Sequence, residues 1–276
     1  MKYKVFHFDA ASKKAPEDYV IAQENIFVVT DGFSALFDNE TGLKGYGKQA
    51  AEIAGKSLFD YIQEHIEKEI DGNNLLIGAY KYANAQIKKY NEELGANYSN
   101  LDFEKIGLVG CTCAYGFVKE KVLYFAQLND SGVMVFDQYG NREIDFIYNQ
   151  SAYYKYIKEL REQKGIEEDS VKEHQLIRKE IINNFDLIYL DLNAGLGAMT
   201  GQEESVKFLH YGCSHLFCGQ KALFYTDGFI PYVYSKEFID VLLEKNDKEV
   251  KRFVESKMQE SSEKYGKEKT LILIES

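Results

Sequence analysis

Ile26-Phe27-Val28-Val29-Thr30-Asp31-Gly32-Phe33 and Ala222-Leu223-Phe224-Tyr225-Thr226-Asp227-Gly228-Phe229 end alike: each is an apolar run closed by Thr-Asp-Gly-Phe. Short apolar runs of this kind read as buried strands, so each copy sets a carboxylate at a strand end. The copies lie far apart in the chain, and a fold that lays the two strands side by side brings the two acidic groups together. Adjacent carboxylates are costly to ionise unless they share a cation or a proton. The pair therefore predicts a metal site.

Outward from these strands, the composition describes a compact protein. With 276 residues, a hydrophobic fraction of 45% and only 2 prolines, the chain can bury a large core and shows no linker. A single domain over 1–276 is expected. The net charge of -11 excludes a general nucleic-acid binder, which needs clustered lysine and arginine to displace phosphate counterions. Residues Met1 to Phe8 alternate as a strand does, without the apolar core of a signal peptide, and no segment approaches membrane-spanning length. A cytoplasmic protein with no membrane partner is the expectation. Cys111, Cys113, Cys213 and Cys218 stand in apolar, strand-like surroundings and are expected to be reduced and buried. Their Cys-x-Cys and Cys-x4-Cys spacings are not those of a zinc knuckle.

Apolar positions at Ile53, Ala54, Leu58, Tyr61, Ile62 and Ile66, and again at Leu76, Ala79, Tyr80, Ala83, Ile87, Tyr90 and Leu94, have helical spacing. Asp71-Gly72-Asn73-Asn74 supplies a breaker and a cap between them, so two antiparallel helices on one face of a sheet are predicted. His65, on the apolar face of the first, reads as a core or boundary residue. Short strands at Val109–Val118, Val122–Leu128 and Gly132–Phe136 read as an antiparallel meander. A charged, tyrosine-rich helical stretch follows over about 151–183. Strands Leu209–Leu216 and Ala222–Thr226, helices Lys236–Leu243 and Lys248–Ser261, and a closing strand Thr270–Ile274 complete the pattern. This order fits an α+β sandwich. It does not fit a parallel dinucleotide-binding sheet, since no Gly-x-Gly-x-x-Gly follows a strand.

An ordered series of short motifs resembles the metal-dependent protein serine/threonine phosphatases of type 2C, bacterial members above all. Glu17-Asp18, in Ala15-Pro16-Glu17-Asp18, resembles the acidic pair of the first motif, and Val28-Val29-Thr30-Asp31-Gly32 the second. Gly110-Cys111-Thr112, Asn129-Asp130-Ser131 and Thr226-Asp227-Gly228 follow in the family's order, and Gly197-Ala198-Met199-Thr200-Gly201 leads to Phe208-Leu209-His210-Tyr211-Gly212 before the last of them. The resemblance implies a four-layer α-β-β-α sandwich of two antiparallel sheets flanked by antiparallel helix pairs. It also places the stretch 151–183 beside the active site, as a lid or partner surface or as a solvated helical hairpin, the second being the reading preferred.

The resemblance further implies hydrolysis of phosphoserine and phosphothreonine in proteins by a water that bridges two Mg2+ or Mn2+ ions. Such ions favour hard oxygen ligands, and the chain has no His-x-x-x-His or cysteine-rich cluster to suit zinc. By the same resemblance Asp31 bridges the ions, Glu17 and the Gly32 carbonyl complete one, Asp227 serves the other, and Asp18 orients ligand waters. Asp130 matches a position that, with the late aspartate, holds a third and weaker ion; its plain reading is a turn residue.

Three departures bear on activity. Lys13 stands where the family has a phosphate-binding arginine, and an ammonium lacks the bidentate fork. Phe33 stands where some members have a histidine that protonates the leaving group. In Lys267-Glu268-Lys269-Thr270, aligned on Thr270, Lys267 replaces a metal-binding aspartate. Either Glu268 reaches back as a substitute metal ligand, or the Lys267 ammonium pairs with Asp227 and stands in for the missing ion. Two functions follow: a protein phosphatase, or a phosphatase-like binding module with weak or no catalysis. A phosphatase of small phosphorylated metabolites is a third class.

Overall fold

The run over residues 26–29 is apolar without alternation because both faces of its strand are covered. Ile26 and Val28 turn toward helices, while Phe27 and Val29 turn toward a second sheet. The computed structural model describes residues 1–12, 16–33, 46–103, 107–145, 150–168, 170–189 and 196–276. In chain order its main elements are β1 (Lys2–Phe8), β2 (Asp18–Gln23), β3 (Ile26–Phe33), α1 (Tyr46–His65), α2 (Gly72–Glu93), β4 (Gly110–Lys119), β5 (Val122–Leu128), β6 (Gly132–Phe136) and β7 (Arg142–Asp145). They continue with α3 (Gln150–Lys164), α4 (Val171–Glu180), β8 (His210–His215), β9 (Lys221–Tyr225), α5 (Lys236–Glu244), α6 (Asp247–Glu260) and β10 (Lys269–Glu275).

Two five-stranded antiparallel sheets result, in the orders β1-β10-β9-β6-β7 and β2-β3-β4-β5-β8. Helices α1 and α2 bury Ala54, Leu58, Ile62, Leu76 and Ala83 on the second sheet. On the first sheet, α5 and α6 bury Phe238, Leu242 and Val254. Between the sheets lie Phe27, Val29, Phe125, Val133, Phe224 and Ile272. The architecture is the expected four-layer α-β-β-α sandwich. Asp71 caps α2 as expected, accepting a hydrogen bond from the Asn73 amide at 2.9 Å. His65 stacks on Tyr61, with ring centroids 4.2 Å apart.

Four expectations are corrected. The strands Val122–Leu128 and Gly132–Phe136 do not continue one meander: β5 pairs with β4 and β8, whereas β6 pairs with β7 and β9 in the other sheet. Asn129, in the left-handed region at φ 62°, turns the chain from one sheet to the other. Nor do the two Asp-Gly strands lie side by side. They face each other across the sandwich, where Phe27 and Phe224 stack at 6.0 Å. Cys213, on edge strand β8, and Cys218, beyond the end of that strand, are exposed, while Cys111 and Cys113 are buried and all four are free. The stretch 151–183 is no plain solvated hairpin: its helices enclose a small core of their own around Ile157, Leu176 and Ile181 and reach over the mouth of the sandwich. Among the described residues no helix is long and apolar enough to cross a membrane.

Candidate metal centre and cleft

Asp18 on β2 and Asp31 on β3 are register partners, so both side chains leave the same face of the sheet, and Thr112 on β4 flanks Asp31 on its other side. That face carries Phe27 and Val29 inward. The carboxylates therefore sit where the interior between the sheets opens. From the opposite sheet β9 ends at Tyr225, and a short helical turn over Asp227–Phe229 brings in the second aspartate. The side chains of Asp31 and Asp227 are in hydrogen-bond contact. Asp130, on the turn that crosses between the sheets, joins them.

Both glycines of the Asp-Gly pairs permit close backbone approach. A Cβ on Gly32 would lie 2.1 Å from the Gly47 carbonyl oxygen at the start of α1, and one on Gly228 would lie 1.9 Å from that of Glu268. The Gly32 amide also donates to the Glu17 carbonyl at 3.1 Å, which ties the first acidic pair to the end of β3.

Burial is the main force on these carboxylates, and their neighbours add to it. It pushes Asp31 well above the ordinary range, with Asp227, Asp18 and Asp130 raising it further. Asp18 is pushed up to about 7, chiefly by burial, against the lowering effect of its Thr270 hydrogen bond. Asp130 is pushed up to about 6, again chiefly by burial and then by Asp227. Each of these groups holds its proton more firmly folded than unfolded, where a carboxyl titrates near ~4. Raising the pH above ~4 therefore removes stability, up to about 6 through Asp130 and up to about 7 through Asp18, with Asp31 acting in the same direction. Metal-free protein in a chelator is expected to melt at a higher temperature at pH 5 than at pH 8. Calorimetry at the two values checks this, and Asp18→Asn should shrink the difference.

Asp18 is buried, and its Oδ2 accepts from Thr226 Oγ1 at 2.8 Å and from Thr270 Oγ1 at 2.7 Å. Thr226 Oγ1 in turn accepts from the Thr270 amide at 2.9 Å. One hydroxyl thus joins the first acidic motif, the second Asp-Gly strand and β10. Thr226→Val keeps the shape but takes one of two donors from the buried Asp18 oxygen and leaves the buried Thr270 amide without its acceptor. A loss of about 2–3 kcal/mol is expected in chemical denaturation.

The segment leading into β10 divides its side chains by alternation. Lys267 Nζ donates to Asp227 Oδ2 at 2.5 Å. Glu268 turns elsewhere: its carboxylate accepts from the Glu17 amide at 2.7 Å and the Asp18 amide at 3.2 Å. Glu268 thus anchors the backbone of the first acidic pair, and His7 stands beside it, with Nδ1 2.9 Å from Thr270 Oγ1 and Nε2 3.9 Å from Glu268 Oε1. Ligand atoms of His7, Asp18 and Glu268 lie within 4.8 Å of one another. Lys269 is fully buried 5.6 Å from the centre of the Tyr232 ring and donates to the Lys267 carbonyl at 2.5 Å. Burial pulls its ammonium down to about 8, against the pull of Asp18 and Asp227.

Asp31 and Asp130 line a cleft of about 420 Å3 together with Tyr153, Arg161, His174 and Arg178 of α3 and α4. The Arg178 guanidinium lies on the Phe33 ring, 4.1 Å from its centroid, and Arg161 pairs with Glu173 at 3.1 Å. Neither arginine nor His174 was visible as a site residue in the sequence. They sit in a helical stretch whose spacing reports only its own buried side, and no motif marks them. Lys13, the expected phosphate contact, lies outside the described residues.

The donors present suit a divalent cation of the Mg2+ or Mn2+ class. All are oxygens, Asp31 and Asp227 are in contact, and Asp130 Oδ1 is buried without a hydrogen-bond partner among the described residues. The cysteines do not suit zinc: burial pushes the Cys111 and Cys113 thiols up, and Cys213 and Cys218 are exposed on and beyond an edge strand.

No protein-family model matches the sequence. No curated protein matches it either. Solved structures do. The catalytic domain of the serine/threonine protein phosphatase PstP, in complex with 2 manganese ions, is 14% identical with a TM-score of 0.63, over 99% of this chain and 96% of that one. The PPM serine/threonine phosphatase MsPP from Mycobacterium smegmatis is 16% identical with a TM-score of 0.59, over 100% and 98%. PppA of Pseudomonas aeruginosa is 14% identical with a TM-score of 0.61, over 99% and 96%. What is shared at such identities is the arrangement of two stacked sheets and their helices, and by that arrangement the chain has the fold of the PPM, or type 2C, serine/threonine phosphatases.

Proposed function

We propose that this protein hydrolyses phosphoserine or phosphothreonine in protein substrates with the aid of a divalent cation, Mn2+ or Mg2+. The observation that carries this reading is the contact of Asp31 with Asp227, beside the unpartnered Asp130 oxygen, where Asp31 and Asp130 line a cleft. Glu17, Asp31 and the Gly32 carbonyl would hold the ion, with Asp18 behind them and Asp227 and Asp130 to one side. When bound, the ion neutralises phosphoryl oxygens and activates water.

The chain's own residues account for binding. Arg178 lines the same cleft as the acidic cluster, so an anionic group entering it meets guanidinium charge there, while Arg161, also in the lining, is already paired with Glu168 and Glu173. Phe33 holds the Arg178 plane by stacking, which gives this residue a use in place of the absent histidine. An adjoining groove of about 380 Å3, lined by Asp227, Tyr154, Lys264 and Lys267, extends the surface for the polypeptide around the phosphorylated residue. Lys13 is the further phosphate contact in this reading. We take 1–276 as one domain that reverses protein phosphorylation in cytoplasmic signalling.

The test is hydrolysis of phosphoserine and phosphothreonine peptides as Mn2+ is raised from zero in chelator-treated protein. Turnover that rises with Mn2+ and saturates is expected; turnover indifferent to Mn2+, or absent, overturns the reading. The pair of Lys267 with Asp227 favours a second reading, a phosphatase-like module that binds phosphorylated partners with weak or no catalysis. Phosphopeptide binding without turnover is its signature.

A further inference from the structure

We propose that Lys267 is a built-in cation that takes the place of one metal ion, so that the acidic centre loads a single divalent cation on the side of Glu17 and Asp31. The inference rests on the metal-dependent reading above and concerns how many ions that centre accepts. Its first support is geometric. Lys267 Nζ lies 2.5 Å from Asp227 Oδ2, so a carboxylate oxygen that a second ion would need is already engaged by an ammonium. The position is braced from behind: buried Lys269 donates to the Lys267 carbonyl at 2.5 Å, fixing the backbone from which the side chain leaves.

The second support is the neighbouring residue. Glu268 is next in sequence and is the carboxylate nearest to hand as a replacement ligand, yet its two oxygens accept from the Glu17 and Asp18 amides. That arrangement tightens the Glu17 side of the centre and leaves the Asp227 side without an added carboxylate from this segment.

Charge gives the third. A carboxylate at position 267 would contribute one negative charge, and the ammonium contributes one positive charge, a difference of two units. That difference is the charge of one divalent cation. One ion plus Lys267 therefore leaves the centre at the same net charge as two ions plus an aspartate. Repulsion of a second ion by an ammonium a few ångströms away points the same way.

The experiment counts ions. Mn2+ is titrated into metal-free protein by calorimetry and equilibrium dialysis, and the loaded protein is examined by low-temperature electron paramagnetic resonance. Wild type is expected to bind one ion at the centre, with the spectrum of an isolated Mn2+, and Asp31→Asn is expected to lose that ion. Lys267→Asp is expected to bind two, with the spectrum of an exchange-coupled pair. Should Lys267→Asp not fold, Lys267→Gln frees Asp227 at nearly constant length and is expected to take up a second ion more weakly. Two coupled ions in wild type overturn the inference and leave the metal-dependent phosphatase standing. No bound ion in wild type overturns both. A Lys267→Gln protein whose ion count and affinities match wild type also overturns the inference, because Lys267 would then not be what excludes the second ion.

Discussion

Asp31→Asn is expected to lower Mn2+-dependent phosphopeptide hydrolysis by about a thousandfold or more, equivalent to roughly 4 kcal/mol of transition-state stabilisation. Asp31 is opposite Asp18 in the ladder, in contact with Asp227 and near Asp130, so it is the carboxylate common to the whole cluster. An amide of the same shape keeps the packing but cannot supply the charge that holds a cation. The same substitution should make the metal-free protein more stable at pH 8. It removes a buried group that pays both for burial and for repulsion by three like charges. Hydrolysis and thermal melting measured on one preparation separate the cases. Activity lost with a raised melting temperature supports a functional carboxylate held at a cost to stability, whereas activity lost with a lowered one indicates a structural role, and activity retained removes Asp31 from the mechanism.

Gly228→Ala is expected to be the most damaging change of a single methyl group, at about 3 kcal/mol and a melting temperature lower by roughly 6 °C or more. Its Cβ would stand 1.9 Å from the Glu268 carbonyl oxygen and 2.8 Å from Lys269 Cβ. The first of these is backbone and cannot swing aside. Relief requires the turn over Asp227–Phe229 to part from β10, which carries Thr270 away from Thr226 and the Lys267 amine away from Asp227. Gly212→Ala on edge strand β8 is the contrast, since its Cβ meets nothing nearer than the Phe125 ring at 3.4 Å. Thermal melting of both variants checks the prediction; equal and small shifts would show that the Gly228 contact is loose.

Much of the fold could be read from local pattern because local pattern reports burial. Helical spacing from Ile53 to Leu94 gives α1 and α2 with their cap at Asp71, and the limits of β5 and β6 coincide with the runs Val122–Leu128 and Gly132–Phe136. Two strands escaped. β2 and β7 lie at sheet edges, and the half-buried side chains of β2 give a weak alternation. The pairing of β6 escaped for another reason. A three-residue turn connects a hairpin or crosses between sheets equally well, and which it does depends on strands far away in the chain.

At the candidate site the division follows the same line. That carboxylates stand at the ends of the two Thr-Asp-Gly-Phe strands was determined by sequence alone, because a buried apolar run must end where its backbone meets polar residues and water. That Lys267 follows the second copy as a departure was equally visible there. Only the tertiary structure decided that Asp31 and Asp227 meet by the stacking of two sheets, that Lys267 pairs with Asp227 while Glu268 holds the first acidic pair, and that Arg178 lies over Phe33 in the cleft. Sequence spacing sets which face of an element a side chain leaves. The distance between charges on different elements is set by how the sheets pack and how far each side chain reaches, and that distance determines whether a neighbour acts as a ligand, a counter-ion or a wall.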